Sequence, residues 1–359
     1  MLSKKTIAVL FGGVSSEHDV SCVSAASVLD NIDEGKFDIY KVGITKTGRW
    51  KLFTGDNSLL PNDKWDTPEY TTHAFIPPDS EIGGLMIFEP QGVRTVKLDA
   101  VFPVLHGKNG EDGTVQGLLQ LAQIPYVGCN CAVSVVCMDK ALTNSACDMA
   151  GVAQANWVEM IKSDYLSDKE SCVANAAEYL GYPIFVKPAN AGSSVGITKA
   201  HDETELEKGI EIAFAEDNKI VLEQGIDGWE VECAVLGNEN PQASVVGEIL
   251  PCNEFYDYQA KYQGDSGLAI PPVNISEQKA QEVRGAAVEI YKSLGCQGMA
   301  RMDFFVDKVS GEVLFNEPNT LPGFTSISMY PKLWNVSGIK YSDLLNRLIE
   351  LALERGGKI

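Results

Sequence analysis

The sequence predicts an α/β chain, with a parallel, helix-covered sheet in its N-terminal part and an α+β arrangement in its C-terminal part. Three observations lead there. Up to about residue 128, continuous apolar runs such as "TIAVLFGG" and "LDAVFPVL" alternate with helical periods. Runs of that kind belong to strands buried on both faces of a parallel sheet. From about Ala132 the texture changes, and "MARMDFFV" and "GEVLFNEPN" flank a Ser310-Gly311 turn as the two arms of a hairpin do. The 359 residues, 45% of them hydrophobic, suffice for two or three domains with a sizeable core.

The elements follow in order. "TIAVLFGG" is the first strand, and Ser16-x-x-Asp19 reads as a capping box opening a helix. Val20, Val23, Ser27 and Val28 give that helix one mostly apolar face. "FDIYKVGI" and "LDAVFPVL" are further buried strands, and residues 54–90, polar and rich in Pro and Gly, read as an insertion with weak structure. "GTVQGLLQLAQ" is a helix, and another runs through Met138-Asp139-Lys140. A strand at Trp157, a helix near Ala176 and the strand "YPIFVKP" precede the Gly/Ser loop "NAGSSVG". "ITKA", the helix "ETELEKGIEIAFAE" and the strand "KIVLEQG" complete that unit. Next come "WEVECAVLG", "ASVVGEIL" and an amphipathic helix with Val283, Ala287, Ile290 and Leu294 inward, followed by the hairpin. The last helix runs from Tyr341 to about Arg355 with Leu344, Leu345, Leu348 and Leu351 inward. Three units are expected, at 1–130, 131–223 and 224–359.

Composition narrows the function. A net charge of −20 argues against a nucleic-acid partner, which needs a broad basic face. Nine cysteines without a C-x-x-C pair and only four histidines carry no zinc-module spacing and no disulfide framework, so a reducing cytoplasm is expected. The apolar core of the N-terminus, Ile7 to Phe11, is too short for a signal peptide, and no run approaches a membrane span.

Chemistry concentrates near the end of the chain. If the hairpin turn centres near Ser310, Asp303 lies opposite Glu317 and Arg301 opposite Asn319, all on one face. Asp, Glu and Asn oxygens are hard ligands suited to Mg²⁺. The alternative is the solvated outer face of a hairpin, against which stand the apolar strands around it and Pro318 between the ligands. In "VKPANAGSSVGITKA", Lys187 and the following loop can set a charge and several backbone N–H groups against phosphate oxygens. A flexible hairpin tip explains that loop equally well, and Lys140 alone is a helix-surface lysine. "FGGVSSEHDVS" lacks the G-x-G-x-x-G of a dinucleotide turn, which removes a nicotinamide dehydrogenase from consideration.

Taken in order, "FGGVSSEHDVS", "LHGKNGEDGTVQG", "MDK", "VKPANAGSSVG", "FYDYQAKY", "GMARMDFF" and "NEPNTLPGFTSISMYP" resemble the D-alanine–D-alanine ligase family of the ATP-grasp superfamily. The likeness covers almost the whole chain except residues 54–90. It implies an ATP-grasp fold behind a Rossmann-like N-terminal domain, with ATP and D-alanine as substrates. It further implies two Mg²⁺ ions on Asp303, Glu317 and Asn319, with Mn²⁺ able to substitute. Lys140 and Lys187 match lysines on the phosphates, with the Ser193-Ser194 loop closing over them. Glu223, Ile226 and Glu230 match the linker that holds adenine and ribose. Gln224 stands where lysine is usual, a change that a backbone contact to adenine survives. Glu17 resembles the carboxylate for the first D-alanine's ammonium, linked to Ser193 and Tyr262. Lys261 and Ser328 resemble the clamp on the second D-alanine's carboxylate, Arg301 and the Gly323 N–H resemble oxyanion donors, and His106 matches a histidine near the reacting groups. The resemblance also implies a lid in "FYDYQAKYQGDSGLAI", a homodimer and a cytoplasmic role in peptidoglycan synthesis. Intact Lys261-Tyr262 speaks against a hydroxy-acid acceptor, and apolar Met329 against D-serine. A non-catalytic two-lobed amino-acid-binding protein would need no Asp303/Glu317/Asn319 set.

Overall fold

The computed structural model describes residues 4–250 and 267–356. β1 (Lys5–Gly12) lies between β2 (Phe37–Ile44) and β7 (Ala100–Pro103), parallel to both. Ile7 to Phe11 are fully buried, as an unbroken apolar run requires. The parallel expectation holds for these three strands only. The sheet has seven, in the order β6-β5-β4-β3-β2-β1-β7, and β3 (Trp50–Phe53), β4 (Thr71–Phe75), β5 (Gly84–Glu89) and β6 (Gly92–Lys97) extend it antiparallel.

Residues 54–90 are therefore not weakly structured. They contribute a 3₁₀ turn at Asn57–Leu59 and two strands, and they bury Leu60, Trp65, Ile76, Leu85 and Ile87. The apolar residues are sparse in sequence, but each meets a prepared partner. Trp65, fully buried, packs edge-on to Phe11 at 4.9 Å and Phe53 at 6.3 Å between centroids. Its ring occupies the space a Cβ would fill at Gly43.

Helix α1 (His18–Asn31) begins one residue after Glu17. The expected Ser16 capping box is absent; Ser15 Oγ instead accepts the Glu17 N–H at 3.1 Å. Its buried face is Ser21, Cys22, Ala25, Val28 and Leu29, and Val23 is exposed. Small residues let the helix approach β1 closely, where Ser21 Oγ accepts from Gly12 N at 2.8 Å and donates to Val104 O.

After α2 (Thr114–Leu121), the single helix expected through residues 138–140 is two, α3 (Cys131–Met138) and α4 (Lys140–Ala150). Asp139 breaks them with an extended ψ of 107° and caps α4, its Oδ1 accepting from Ala141 N and Leu142 N at 3.1 Å. A four-stranded antiparallel sheet follows in the order β10-β9-β11-β8, from β8 (Trp157–Ile161), β9 (Ile184–Pro188), β10 (Thr198–Ala200) and β11 (Lys219–Gln224). With it come α5 (Lys162–Ser167), α6 (Lys169–Leu180) and α7 (Glu203–Glu216).

The last sheet, β14-β13-β12-β15-β16, comprises β12 (Gly228–Gly237), β13 (Gln242–Leu250), β14 (Gly267–Ala269), β15 (Gly298–Asp307) and β16 (Val313–Asn319). Beside it lie α8 (Glu277–Ser293) and α9 (Met329–Val336), and α8 buries Val283, Ala287 and Ile290 as expected. The final helix, α10 (Tyr341–Arg355), buries the four expected leucines in one cluster with β1 and α1. The chain's end thus packs on its beginning. No helix among the described residues is long and apolar enough to cross a membrane.

If residues 54–90 are integral to the first core, Trp65→Ala must cost about 3–5 kcal/mol, the range for a deleted buried aromatic. Urea unfolding monitored by circular dichroism measures it. A loss below 1 kcal/mol would return the segment to the status of a dispensable insertion.

Candidate active site

The hairpin register is the one the alternation predicts. Asp303 pairs with Glu317 and Arg301 with Asn319, while β12 on the other side sets Glu232 opposite Asp303. A bulge between Asp303 and Phe304 leaves Asn316 as the extra residue of β16. Three carboxylates, Glu232, Asp303 and Glu317, therefore stand in one row across adjacent strands. Arg301 lies half-buried beside them, its side chain 16% exposed. Its Nε and Nη2 donate to the two Asp303 oxygens at 2.7 and 2.6 Å, and Nε lies 3.1 Å from Glu232 Oε2. Burial opposes the guanidinium charge, but Asp303 and Glu232 outweigh it and hold the Arg301 pKa well above its ordinary value.

Above this row lies a cavity of about 470 Å³, lined among others by Glu17, His106, Lys140, Ser193, Glu232, Arg301, Glu317, Asn319, Gly323, Ser328 and Met329. Asp139 places Lys140 at the start of α4, where Nζ donates to Ala191 O at 2.8 Å in the Gly/Ser loop. In that loop Ser193 and Ser194 both adopt left-handed φ, 51° and 61°. Non-glycine residues hold that conformation at a cost of roughly 1–2 kcal/mol each. Ser193 Oγ donates to Glu17 Oε1, joining residues 176 positions apart. Glu17 Oε2 lies so close to Gly107 that a Cβ there has no room.

Lys187, on β9, faces Glu223 on β11, with Nζ 2.5 Å from Oε2. Burial lowers the Lys187 pKa, but the charge of Glu223, and then of Glu317, outweighs that and raises it. Glu317 on the third sheet therefore faces the same charge as the second sheet's pair. Glu223 Oε1 also accepts from Asn144 Nδ2 at 3.2 Å. Ile226 and Glu230 are half-buried near the start of β12, and Gln224 Oε1 accepts from Asn156 Nδ2 at 3.2 Å.

The turn after β16 closes the far wall. A Cβ at Gly323 would sit 2.7 Å from Ser328 Oγ, which accepts from Thr325 N at 3.0 Å instead of capping α9. Met329 is buried against β13, its Sδ 2.8 Å from where a Cβ would stand on Gly247, and also lines the cavity. Lys261, Tyr262 and most of the expected lid fall outside the described residues. Sequence reasoning missed Asn144, Glu232 and Glu111. Two signals were available: Asn144 lies one helical turn after Lys140, and Glu232 shares a strand face with Glu230.

Residues 6–129 match the family described as D-ala D-ala ligase N-terminus, and residues 147–350 match D-ala D-ala ligase C-terminus. The chain belongs to the D-ala D-ala ligase family. It is 49% identical to the D-alanine–D-alanine ligase of Thermoanaerobacter sp. (strain X514) over 98% of both chains. The solved VanG D-Ala:D-Ser ligase of Enterococcus faecalis is similar with a TM-score of 0.89 and 40% identity, over 98% of this chain and 100% of that one. The D-alanine–D-alanine ligase of Coxiella burnetii is similar at 0.86 and 35%, over 99% and 97%. The fold is that of the ATP-grasp ligases.

A ligase of this family uses ATP and a divalent metal, and the hairpin suits such an ion. Among the described residues Asn319 Oδ1 is buried with no hydrogen-bond partner, an oxygen lone pair left open next to Glu317 and the cavity. The donor set is all oxygen, which hard cations prefer.

His106 carries a testable electrostatic consequence. Its Nε2 lies 3.1 Å from Ser24 Oγ and its Nδ1 3.6 Å from Glu111 Oε1. Burial opposes its charge, but Glu111 and then Glu17 prevail and raise the pKa above 6.5. A folded value above the unfolded one contributes stability that is full below about pH 6.5 and is lost as pH rises through the folded pKa. His106→Gln is therefore expected to flatten the stability–pH curve across that window in urea titrations. A wild-type His106 NMR resonance titrating below 6.5 would reverse the sign and reject the assignment.

Proposed function

We propose that this protein joins two D-alanine molecules, at the expense of ATP, into D-alanyl-D-alanine for peptidoglycan synthesis. The observation that carries the reading is the oxygen-lined hairpin, with its open Asn319 Oδ1, sharing one cavity with the Glu17–Ser193 contact. The family membership agrees.

Lys140 and Lys187 bind the ATP phosphates, Ser193-Ser194 cover them, and Glu223, Ile226 and Glu230 hold adenine and ribose. Asp303, Glu317 and Asn319 would hold two Mg²⁺ ions, for which Mn²⁺ could substitute. A divalent cation there supplies neutralisation of the charge that develops on the phosphates. Glu17 binds the ammonium of the first D-alanine, whose carboxylate oxygen attacks the γ-phosphorus; the bond to the bridging oxygen breaks and ADP departs. Ser328, with Lys261, orients the second D-alanine so that its amine attacks the carbonyl carbon of the D-alanyl phosphate. Arg301 and the Gly323 N–H stabilise the tetrahedral oxygen. The C–O bond then breaks, phosphate leaves with the electron pair, and the amine loses its proton. His106 sits beside Glu17 and helps order that corner. The acyl phosphate hydrolyses readily, so the loop over Glu17 also excludes water. A cytoplasmic homodimer is the assembly the family likeness favours.

Glu317→Gln and Asn319→Ala test the metal assignment. Each is expected to lower D-alanine-dependent ADP formation by at least about 100-fold, the scale for lost transition-state charge stabilisation. Unfolding transitions should stay close to wild type, because these oxygens face the cavity. Near-normal turnover in Glu317→Gln would remove the hairpin from the chemistry.

A D-serine acceptor is the second reading, favoured by the likeness to the VanG D-Ala:D-Ser ligase. Met329 weighs against it: a buried thioether at the cavity wall suits a methyl group and offers a serine hydroxyl no strong partner. Apolar pockets reject an added hydroxyl modestly, so D-alanine should be preferred by on the order of 10 to 100-fold. Competition between D-alanine, D-serine and D-lactate as acceptors, at neutral pH, measures this. Equal kcat/KM for D-serine would hand the function to the second reading.

A further inference from the structure

We propose that His18, Cys22 and Asp63 form a separate cation site that takes a thiophilic divalent ion of the zinc class. Their ligand atoms all lie within 4.8 Å of one another, and none of the three lines the catalytic cavity. The proposal does not depend on the ligase reading.

His18 and Cys22 are four apart on α1, so their side chains share a face one turn apart. His18 Nδ1 lies 2.8 Å from Gly13 O. A carbonyl only accepts, so Nδ1 carries a proton, and Nε2, held against the Asp63 carboxylate, is the ring atom that an ion entering between the two would take. Anchoring one ring nitrogen on a backbone carbonyl is how proteins orient a metal-binding imidazole. Nε2 faces Asp63 Oδ1 at 3.2 Å. Two ligands about 2.0–2.2 Å from a tetrahedral ion stand roughly 3.3–3.5 Å apart, close to this separation.

The surroundings also fit. Asp63 comes from the 54–70 segment in a left-handed conformation (φ 52°) and is the exposed member, giving the ion a way in from solvent. Lys46 Nζ neutralises its other oxygen, Oδ2, at 3.0 Å and also contacts Asp19 at 2.8 Å. Trp65 Nε1 donates to Asp63 Oδ1 at 3.0 Å, an outer hydrogen bond that can persist with the ion bound. Burial, and then the charges of Asp63 and Asp19, push the Cys22 thiol up to about 12, so the ion-free sulfur is protonated. Coordination forms bonds from the metal to the sulfur, Nε2 and the Asp63 oxygen, releases to solvent the thiol proton and the proton held between Nε2 and Asp63, and leaves a fourth position for water. Occupancy would tie the 54–70 segment to the helix start that carries Glu17.

The test uses the full chain in excess Mg²⁺, titrated with Cd²⁺ and followed by thiolate-to-metal charge-transfer absorption and equilibrium dialysis. One equivalent is expected to bind wild type with the thiolate band. Cys22→Ser should lose the band, and Asp63→Asn, a change at an exposed position, should weaken binding at least about tenfold. Zn²⁺ should raise the wild-type Tm by more than it raises that of either variant. No band in wild type, a band retained in Cys22→Ser, or unchanged affinity in Asp63→Asn would each overturn the site.

Discussion

A guanidinium is tolerated away from water only where carboxylates surround it, and that requirement organises the five-stranded sheet. Arg301 lies on β15 with Asp303 two residues along the same strand and Glu232 on the neighbouring one. Removing one partner of such a buried group costs about 3–5 kcal/mol. The strands are held in register for the same reason, since a one-residue slip would turn the charges into the apolar cluster of Val231, Cys233, Met302 and Phe304 on the opposite face. The row of carboxylates thus rests on one cation set among them, which itself lines the cavity.

The remaining machinery reaches that row from elsewhere in the chain. The second sheet brings Lys187 and Glu223 on adjacent strands, and its Gly/Ser loop bends through two left-handed serines to touch Glu17 at the start of α1. Asp139 anchors the base of the loop as well as capping α4. Its Oδ2 accepts from Lys219 Nζ at 2.5 Å and Asn190 Nδ2 at 3.3 Å. The C-terminal helix then returns to the first sheet. There Tyr341 Oη donates to Phe324 O at 2.9 Å and meets Ser27 Oγ at 3.1 Å, fixing the turn that carries Gly323. Three separate sheets are thereby held around one cavity.

How much was legible in sequence varied with how local the cause was. α10 ran as its leucines indicated, and the pairing of Asp303 with Glu317 followed from strand parity and the position of a turn. Several of the errors came where distant partners decide, and one where a single side chain caps the next turn. Residues 54–90 looked weakly structured because their apolar side chains are few and Trp65 finds its partners outside the segment, in Phe11, Phe53 and the space at Gly43. Ser16 offered a plausible cap, but Ser15 Oγ takes the Glu17 N–H and the Glu17 side chain turns into the cavity to meet Ser193. The helix expected through Asp139 breaks there because the Asp139 side chain caps the following turn.

By itself the sequence determined the residue types and the face each occupies: three oxygen-bearing side chains on one side of a hairpin, lysines ahead of it, and a Gly/Ser loop able to turn toward phosphate. Side-chain alternation and helical period are properties of the local backbone, so they can be read along the chain. Only the tertiary structure decided that Glu232 shares Arg301 with Asp303, that Asn319 keeps an open oxygen, and that Ser193 lands on Glu17. Those outcomes depend on which strands become neighbours and how deeply each charge is buried. Both follow from packing between segments that are separate in sequence, as Glu232 is from Arg301 and Glu17 from Ser193, which no local pattern encodes.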